Sequence, residues 1–323
     1  MDYREFGTTG IRVSEICYGT WRFASPDGTK NEQSEAGERA LSAALDRGVN
    51  FIHSSHEYGT RWLTGSVLRD HPKRTEVHHI IKVNEPDFGE ERFDKKKFRE
   101  QIENALRELH TDRIAVVQHL QRGPISKKIV YTSEADETRK AGLSETGGEL
   151  AEEADKLKQE GKIASLASFP YTVGFAKTAI ASGIYDGLVA YFNLLETEWV
   201  DLFEDMRRRG MGFLGIRPLL AGLLTDKRID RGQLGSDDRM AGEEWNERYA
   251  QLDRIRTETG INPESWTKYA IRFSLSHPII ATSTVSINNT KQLEDSLSAA
   301  NGDYPTEDEL FKVHAINKAF QEN

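Results

Sequence analysis

Apolar and polar positions follow two alternating patterns along the chain. Short runs of apolar and β-branched residues, which are typical of buried strands, predict eight strands at Ile16–Gly19, Asn50–His53, His79–Val83, Ile114–Leu120, Lys162–Ser168, Gly187–Tyr191, Gly212–Arg217 and Ile279–Ser283. Longer stretches with apolar residues at helical spacing predict eight helices at Ser34–Arg47, Trp62–Arg69, Lys95–Leu109, Glu149–Glu160, Val173–Ala181, Trp199–Arg208, Pro263–Ser276 and Thr290–Ala299.

Alternating strands and helices predict a parallel sheet with crossover helices. Eight such units in 323 residues favour an α/β fold of the closed (β/α)8 barrel type, formed as a single domain over residues 1–323. The alternative, a doubly wound open sheet, needs a glycine-rich phosphate turn after the first strand, but Gly19 is followed by Thr20 and Trp21. The segment Tyr3–Val13 predicts an N-terminal β-hairpin before the barrel.

Two connections are predicted to be long βα loops, Gln121–Gly148 and Leu219–Asn262. In a barrel, both lie at the C-terminal end of the strands, where active sites are built. The first connection carries basic and aromatic residues that suggest a lid over an anionic or polyhydroxylated substrate, although a disordered excursion stays an open alternative. These residues are Arg122, Lys127, Lys128, Tyr131 and Arg139.

Charge and cysteine content narrow the possible functions. The 43 Lys and Arg residues against 52 Asp and Glu give a formal net charge of −9, which argues against binding to nucleic acid or to an anionic membrane. Cys17 is the single cysteine, so the sequence excludes an internal disulfide framework and a cysteine-based zinc cluster. The sequence shows neither a signal peptide nor a membrane-spanning run of apolar residues, and we expect a soluble, cytoplasmic protein.

Seven blocks of sequence, in order along the chain, resemble the aldo-keto reductase family. They are Tyr3–Trp21, Ala44–Gly59, Ile80–Val83, Gly161–Phe169, Phe192–Leu195, Ile216–Thr225 and Ala270–Pro278. The resemblance implies a (β/α)8 barrel that moves a hydride between NADP or NAD and a carbonyl or alcohol. The implied partner is a small-molecule substrate, such as a carbohydrate or another polar carbonyl compound.

The family's catalytic pattern is only partly present. Its enzymes use a Tyr, a Lys, an Asp and a His, and the resemblance assigns the first two to Tyr58 and Lys82. His53 stands at the position where the family has its Asp, and Leu120 stands at the position where the family has its His. His119 lies one residue earlier, where a strand residue faces the other side, so it replaces the family histidine only if the strand end bulges.

The resemblance also implies a cofactor site in which only some of the family's binding residues are present. Its usable residues are Ser168, Arg217, Gly222, Thr225 and Gln292, together with Thr20 and Trp21 of the Gly-Thr-Trp turn. The amides that usually hold the carboxamide are replaced by Phe169 and Val189, and the base that contacts the 2′-phosphate falls near Asn288. Each lost polar contact is expected to weaken binding by about 1–3 kcal/mol.

The replacement of Asp by His53 leaves two further functions open. Without an anion beside it, Lys82 is expected to be less basic than in the family, so Lys82 as base and Tyr58 as acid suit a lyase or isomerase that needs no nicotinamide. The second alternative is a non-catalytic binding or regulatory protein. A metal held by His53, His56, Glu57 and His119 is only weakly indicated, and no metal is expected. The first hypothesis remains NAD(P)-dependent oxidation or reduction of a small carbonyl or sugar.

Overall fold

A computed structural model describes residues 1–25, 27–300 and 304–321. The short runs of apolar residues form strands, because their side chains point alternately into a barrel and towards a layer of helices. The strands of the described residues are β1 Tyr3–Glu5, β2 Arg12–Ser14, β3 Ile16–Gly19, β4 Phe51–Ser54, β5 His78–Asn84, β6 Ile114–Leu120, β7 Ile163–Ser168, β8 Gly187–Tyr191, β9 Gly212–Ile216 and β10 Ile280–Ser286.

Eight of these strands, β3 to β10, pair in parallel in chain order, and β10 pairs with both β9 and β3 to close the barrel. The predicted (β/α)8 barrel is therefore confirmed. The helices that surround it are α1 Ser34–Asp46, α2 Arg61–Arg69, α3 Lys95–Leu109, α4 Ser133–Gln159, α5 Val173–Ser182, α6 Phe203–Arg208, α7 Asn246–Thr259, α8 Trp266–Ser274, α9 Thr290–Ala299 and α10 Glu307–Gln321.

The predicted N-terminal hairpin is formed by β1 and β2, which pair in antiparallel fashion. Its Phe6 is fully buried at the N-terminal end of the barrel, against Gly187 and Gly212. A Cβ atom at either glycine would collide with the Phe6 ring, so these two strand starts need residues without a side chain. The hairpin thus closes the end of the barrel that lies opposite the expected site.

The first predicted long loop is mostly helix, which corrects that expectation. α4 begins at Ser133, where the Thr132 hydroxyl caps it by accepting a bond from the backbone N–H of Ala135 at 3.3 Å. The helix includes Gly142, a residue that is unfavourable inside helices, at a point of close packing. A Cβ atom at Gly142 would lie 2.7 Å from the side chain of Gln121. The loop itself is confined to residues 121–132.

The second predicted long loop also contains a helix, since α7 lies within it at Asn246–Thr259. The pattern of this helix is mostly polar, and only a few of its residues are buried, which is why hydrophobic spacing does not reveal it. α10 near the end of the chain was likewise not predicted, and its buried residues include Val313 and Ile316. The loop after β9 that remains is still long, at residues 217–245, and it borders the site described next.

Candidate active site at the C-terminal end of the barrel

The inward-facing positions near the C-terminal ends of β4, β5 and β6 carry the polar residues of the barrel interior. Phe51, Ile80 and Val116 belong to the apolar cluster inside the barrel, and strand alternation therefore turns the residues two positions further along inward as well. These are His53, Lys82 and Gln118. The pairing of β5 with β6 sets Lys82 beside Gln118. The barrel interior thus changes from apolar to polar towards its C-terminal end.

Tyr58 reaches this end from the short 3-10 turn His56–Tyr58, which follows β4. The Ser55 hydroxyl caps the turn by accepting a bond from the Glu57 N–H at 3.2 Å, and Gly59 ends it with a φ of +63°. Lys82 Nζ lies 4.9 Å from the centroid of the Tyr58 ring. The structure thus brings the predicted tyrosine and lysine into contact.

Lys82 has no carboxylate within 4.0 Å among the residues that the structure describes. Burial lowers the pKa of Lys82, while the charges of Tyr191 and Glu57 oppose this shift. His53 stands at the expected acid's position, and its Nε2 shares a 2.9 Å hydrogen bond with Gln118 Oε1. Burial and the Lys82 charge lower the pKa of His53 to about 3, so the imidazole is neutral at physiological pH.

His119 lies on the outer face of β6, which corrects its expected place at the site. Its Nδ1 is 2.9 Å from the Tyr185 hydroxyl, and its Nε2 donates to the Glu85 carbonyl. Its ring also packs against Phe98 of α3, at 6.0 Å between centroids. β6 does not bulge at its pairing with β7, so alternation turns His119 away from the barrel and leaves Leu120 facing inward.

Arg122, in the loop after β6, binds two acids at the rim. Its Nη1 and Nη2 donate to the Glu57 carboxylate at 2.8 and 3.2 Å, and Nη1 also lies 3.0 Å from Asp87 Oδ1. Its Nε donates to the Tyr171 hydroxyl at 3.1 Å. Arg139 is fully buried and ion-paired with Asp136 at 3.2 Å. The two arginines of the predicted lid are therefore neutralised within the protein.

Aromatic rings line the same part of the rim, beside Arg122. The Phe169 ring packs edge-on against Tyr171 at 4.7 Å and against Tyr191 at 5.4 Å between centroids. Tyr131 packs against Tyr171 at 5.8 Å and is 54% exposed. Phe169 was recognised in the sequence only as a departure from the family. Tyr171 and Tyr191 were missed, although each stands at or just beyond a strand end.

Several residues assigned to the cofactor use their polar groups within the protein. The Thr20 hydroxyl donates to the His53 carbonyl at 3.1 Å, and the Thr225 hydroxyl donates to the Gly222 carbonyl at 2.7 Å. Gln292 Oε1 accepts from the backbone N–H of Asn288 at 2.8 Å. Ser168 is buried and interacts with the Tyr185 hydroxyl on the outer side of β7. Sequence position alone did not reveal these internal bonds.

Trp21 and Arg217, by contrast, lie at the open rim. Trp21 is 52% exposed, and the Arg22 guanidinium lies 5.1 Å from its ring. Arg217 adopts a φ of +65°, and its guanidinium lies 4.9 Å from the Tyr191 ring and 3.6 Å from Glu196. Positive φ is unusual for a residue with a side chain and often marks a functional turn.

Gly222 lies between guanidinium groups in the loop after β9. A Cβ atom built on it would lie 3.0 Å from Arg239 Nη2 and 3.1 Å from Arg228 Nη1. Arg228 binds Asp238 at 2.8 Å, whereas Arg239 donates to the backbone carbonyl of Ala221. Burial and the charges of Arg22 and Arg228 lower the pKa of Arg239. This arginine cluster was missed in the sequence, where the run of arginines after Thr225 was the available signal.

No group of three or more His, Cys, Asp or Glu side chains is arranged to hold a metal ion within the described residues. His119 faces away from His53, which separates members of the weakly indicated metal set. None of the described helices combines the length and the apolar character that crossing a membrane requires.

Comparison with known proteins shows which family the chain resembles. The model of the aldo/keto reductase family matches residues 15–317. The chain is 24% identical to the uncharacterized oxidoreductase YrpG of Bacillus subtilis, over 93% of this chain and 91% of that protein. It is 21% identical to the L-galactose dehydrogenase of Arabidopsis thaliana, over 93% and 88%.

Solved structures show the same fold. The holo form of the aldo-keto reductase AKR11C1 from Bacillus halodurans superposes with a TM-score of 0.71 at 20% identity, covering 98% of this chain and 96% of that one. The family match and the relatives together support an oxidoreductase. The match of the family model over nearly the whole chain means that this protein belongs to the aldo/keto reductase family.

Proposed function

We propose that this barrel, as one domain, is an oxidoreductase that transfers a hydride between NADP or NAD and a small carbonyl compound or sugar. The observation that carries the proposal is the contact of Tyr58 with Lys82, 4.9 Å from ring centroid to Nζ, in a chain of this family. A half-buried phenol beside a half-buried amine is suited to general acid–base catalysis at a substrate oxygen.

The arginine cluster fits the diphosphate of such a dinucleotide. Gly222 leaves space where a Cβ atom would approach Arg228 and Arg239, and fixed guanidinium donors bind phosphate oxygens well. Arg239 and Arg22 have no carboxylate within ion-pair distance among the described residues, so their charge is available to an anion. When bound, the dinucleotide supplies or accepts the hydride.

The carboxamide end fits less well. Phe169 and Val189 have no polar side-chain atom, and Ser168 faces Tyr185, so the carboxamide would have to be held by other contacts. We therefore expect most of the affinity to come from the phosphates and to depend on salt concentration.

Tyr58 is the proposed proton donor to the carbonyl oxygen. Burial and the nearby Glu57 charge raise the pKa of Tyr58, so that the phenol keeps its proton at neutral pH. The charge of a protonated Lys82 would stabilise the phenolate that remains after the transfer. Neutral His53, held by Gln118, adds no charge of its own to this step.

Titration of the protein with NADPH and with NADH, followed by tryptophan fluorescence, tests the cofactor. We expect saturable quenching below about 1 mM, since several charge-assisted hydrogen bonds are available to the phosphates. Nicotinamide mononucleotide, which lacks the diphosphate bridge, is the matched control and should bind more weakly. Absence of quenching by both dinucleotides at that concentration would contradict the proposal.

A second candidate function is favoured by the absence of a carboxylate partner for Lys82. A lysine whose pKa is lowered by burial, beside a protonated tyrosine, suits proton removal next to a carbonyl, as in a lyase or isomerase. Incubation with candidate carbonyl compounds in D2O, without a nicotinamide cofactor, separates the two functions. Deuterium uptake at the carbon beside the carbonyl, lost in Lys82→Met, would favour the second function. No uptake would leave hydride transfer as the function.

A further inference from the structure

The charge of Glu57 acts on Lys82, but the Glu57 carboxylate is bound elsewhere. It stands next to Tyr58 in the 3-10 turn, and both of its oxygens accept bonds from Arg122. Burial would raise the pKa of Glu57, but the Arg122 bonds and charge outweigh it and lower that pKa. A fork-to-fork pair of this kind is among the strongest side-chain interactions in proteins.

Arg122 itself is held from several directions. Besides Glu57, it binds Asp87 and Tyr171, and its guanidinium lies 4.6 Å from the Phe88 ring. Its backbone N–H donates to the Pro86 carbonyl at 3.0 Å. The side chain is 10% exposed. Arg122 therefore joins the turn after β4 to the loops after β5, β6 and β7, and its donors are already engaged.

We propose that Arg122 is a positioning residue that holds the Glu57 carboxylate away from Lys82 and fixes the turn that carries Tyr58. The inference rests on the proposed function, in which Tyr58 and Lys82 move the proton. Its physical basis is that Arg122 binds both oxygens of the Glu57 carboxylate and so fixes their position, with no ion pair between Glu57 and Lys82 within 4.0 Å among the described residues. The family acid is absent at position 53, and Arg122 prevents the neighbouring acid from replacing it.

The charges around Lys82 indicate how removal of Arg122 would change the pKa of Lys82. Among the described residues, the titratable and charged groups that face Lys82 or bind its neighbours are His53 from β4, His56, Glu57 and Tyr58 from the turn, Arg61 from α2, Asp87 after β5, Arg122 after β6, Tyr171 after β7, Tyr191 from β8 and Arg217 after β9. Of these, Glu57 raises the pKa of Lys82 by its charge, and Arg122 lowers it. Loss of Arg122 would remove a repulsive charge and release the attractive one.

The test measures the protonation of Lys82 directly. Protein labelled with 13C at the lysine Cε carbons is titrated by two-dimensional NMR, and the Lys82 signal is assigned with K82R. In R122M, which keeps a long apolar side chain, the Lys82 midpoint should rise by about 1 pH unit. E57Q should lower it, and the double variant E57Q/R122M should return it towards the wild-type value. The signals of exposed lysines such as Lys128 serve as an internal reference.

A second variant separates the effect of the Arg122 charge from the effect of its paired hydrogen bonds to Glu57. R122K keeps a positive charge but not the paired geometry, and its Lys82 midpoint should move by less than half as much as in R122M. R122K also keeps the test possible if R122M does not fold. An unchanged Lys82 midpoint in folded R122M, or a rise that persists in E57Q/R122M, would overturn the proposal. These measurements need neither substrate nor cofactor, so a failure of the proposed hydride transfer would appear separately, as missing dinucleotide binding.

Discussion

The arginine side chains on the two sides of the barrel's C-terminal rim have different partners. On the side formed by the loops after β4 to β7, Arg122 and Arg139 are paired with carboxylates and largely buried. On the side formed by the loop after β9, Arg239 lies beside Arg228 and Gly222, with a backbone carbonyl as its partner. The arginines of the first side are thus engaged in ion pairs that fix its loops. On the second side Arg217 and Arg228 are also ion-paired, but Arg239 has no carboxylate partner among the described residues, so its charge is available to a ligand.

The two sides of the rim therefore have different proposed roles. The paired side holds Tyr58 and Lys82 in a partly enclosed, aromatic setting suited to proton transfer. The unpaired side is suited to an anion such as a diphosphate. Variants on one side should therefore leave the measured property of the other side unchanged.

The largest effect is expected from Tyr58→Phe on the paired side. Loss of the phenol removes the proposed proton donor, and turnover should fall by about 10²- to 10⁴-fold while NADPH binding stays the same. Steady-state kinetics measure the fall in turnover, and fluorescence titration measures NADPH binding. The control is Tyr269→Phe, because the Tyr269 hydroxyl has no hydrogen-bond partner among the described residues. Turnover that survives in Tyr58→Phe would refute the role of this tyrosine.

A smaller effect is expected from Arg239→Ala on the unpaired side. Removal of one charge-assisted donor should weaken NADPH binding by about tenfold or more, with little change in the titration of Lys82. Arg254→Ala on α7, whose guanidinium binds Glu258 four residues away, is a matched surface control. Equal affinities in Arg239→Ala and in the control would show that the cluster does not hold the phosphates.

The sequence predicted the barrel well and the site unevenly. The eight strands are short, buried and separated by helices, so local pattern is sufficient to find them. The first half of α4 was predicted as part of a loop. It contains Gly142 and Gly147, which are unfavourable inside a helix but lie where the side chains of Gln121 and Ile184 approach closely. Tertiary packing of this kind leaves no local signal.

Side-chain partners explain the remaining difference at the site. Alternation along β6 indicated that His119 faces outward unless the strand bulges. The hydrogen bonds of His119 to Tyr185 and to the Glu85 carbonyl agree with this direction. By contrast, the sequence could not distinguish Arg122, which is ion-paired with Glu57 and Asp87, from Arg239, which has no carboxylate partner in the part of the chain that the structure describes. That distinction depends on which loops meet at the rim.

The smallest effect concerns His119, which lies outside the proposed site. Burial lowers its pKa from the ordinary 6.5 to about 4, so the unfolded chain takes up this proton first as the pH falls. The contribution of His119 to stability is therefore complete above about pH 7 and is lost as the pH falls towards 4. In His119→Gln, the loss of unfolding free energy between pH 7.5 and pH 5.5 should shrink by about 1.4 kcal/mol.

Urea denaturation at the two pH values measures this difference. Gln keeps a polar group near the Tyr185 hydroxyl and does not titrate, so it separates proton uptake from loss of packing. An identical pH-dependent loss in wild type and His119→Gln would show that His119 does not stay neutral in the folded protein. Turnover with the Tyr58 site intact should change far less than in Tyr58→Phe.

The most direct test of the account is the transfer of deuterium from NADPH that carries deuterium at C4 of the nicotinamide ring. The protein is incubated with this cofactor and a panel of small aldehydes, ketones and sugars, and the alcohol products are analysed by mass spectrometry. We expect one deuterium on the former carbonyl carbon of an alcohol product, and far less of this product with Tyr58→Phe. Turnover of a carbonyl substrate without deuterium in the product, or with proton exchange alone, would contradict this expectation.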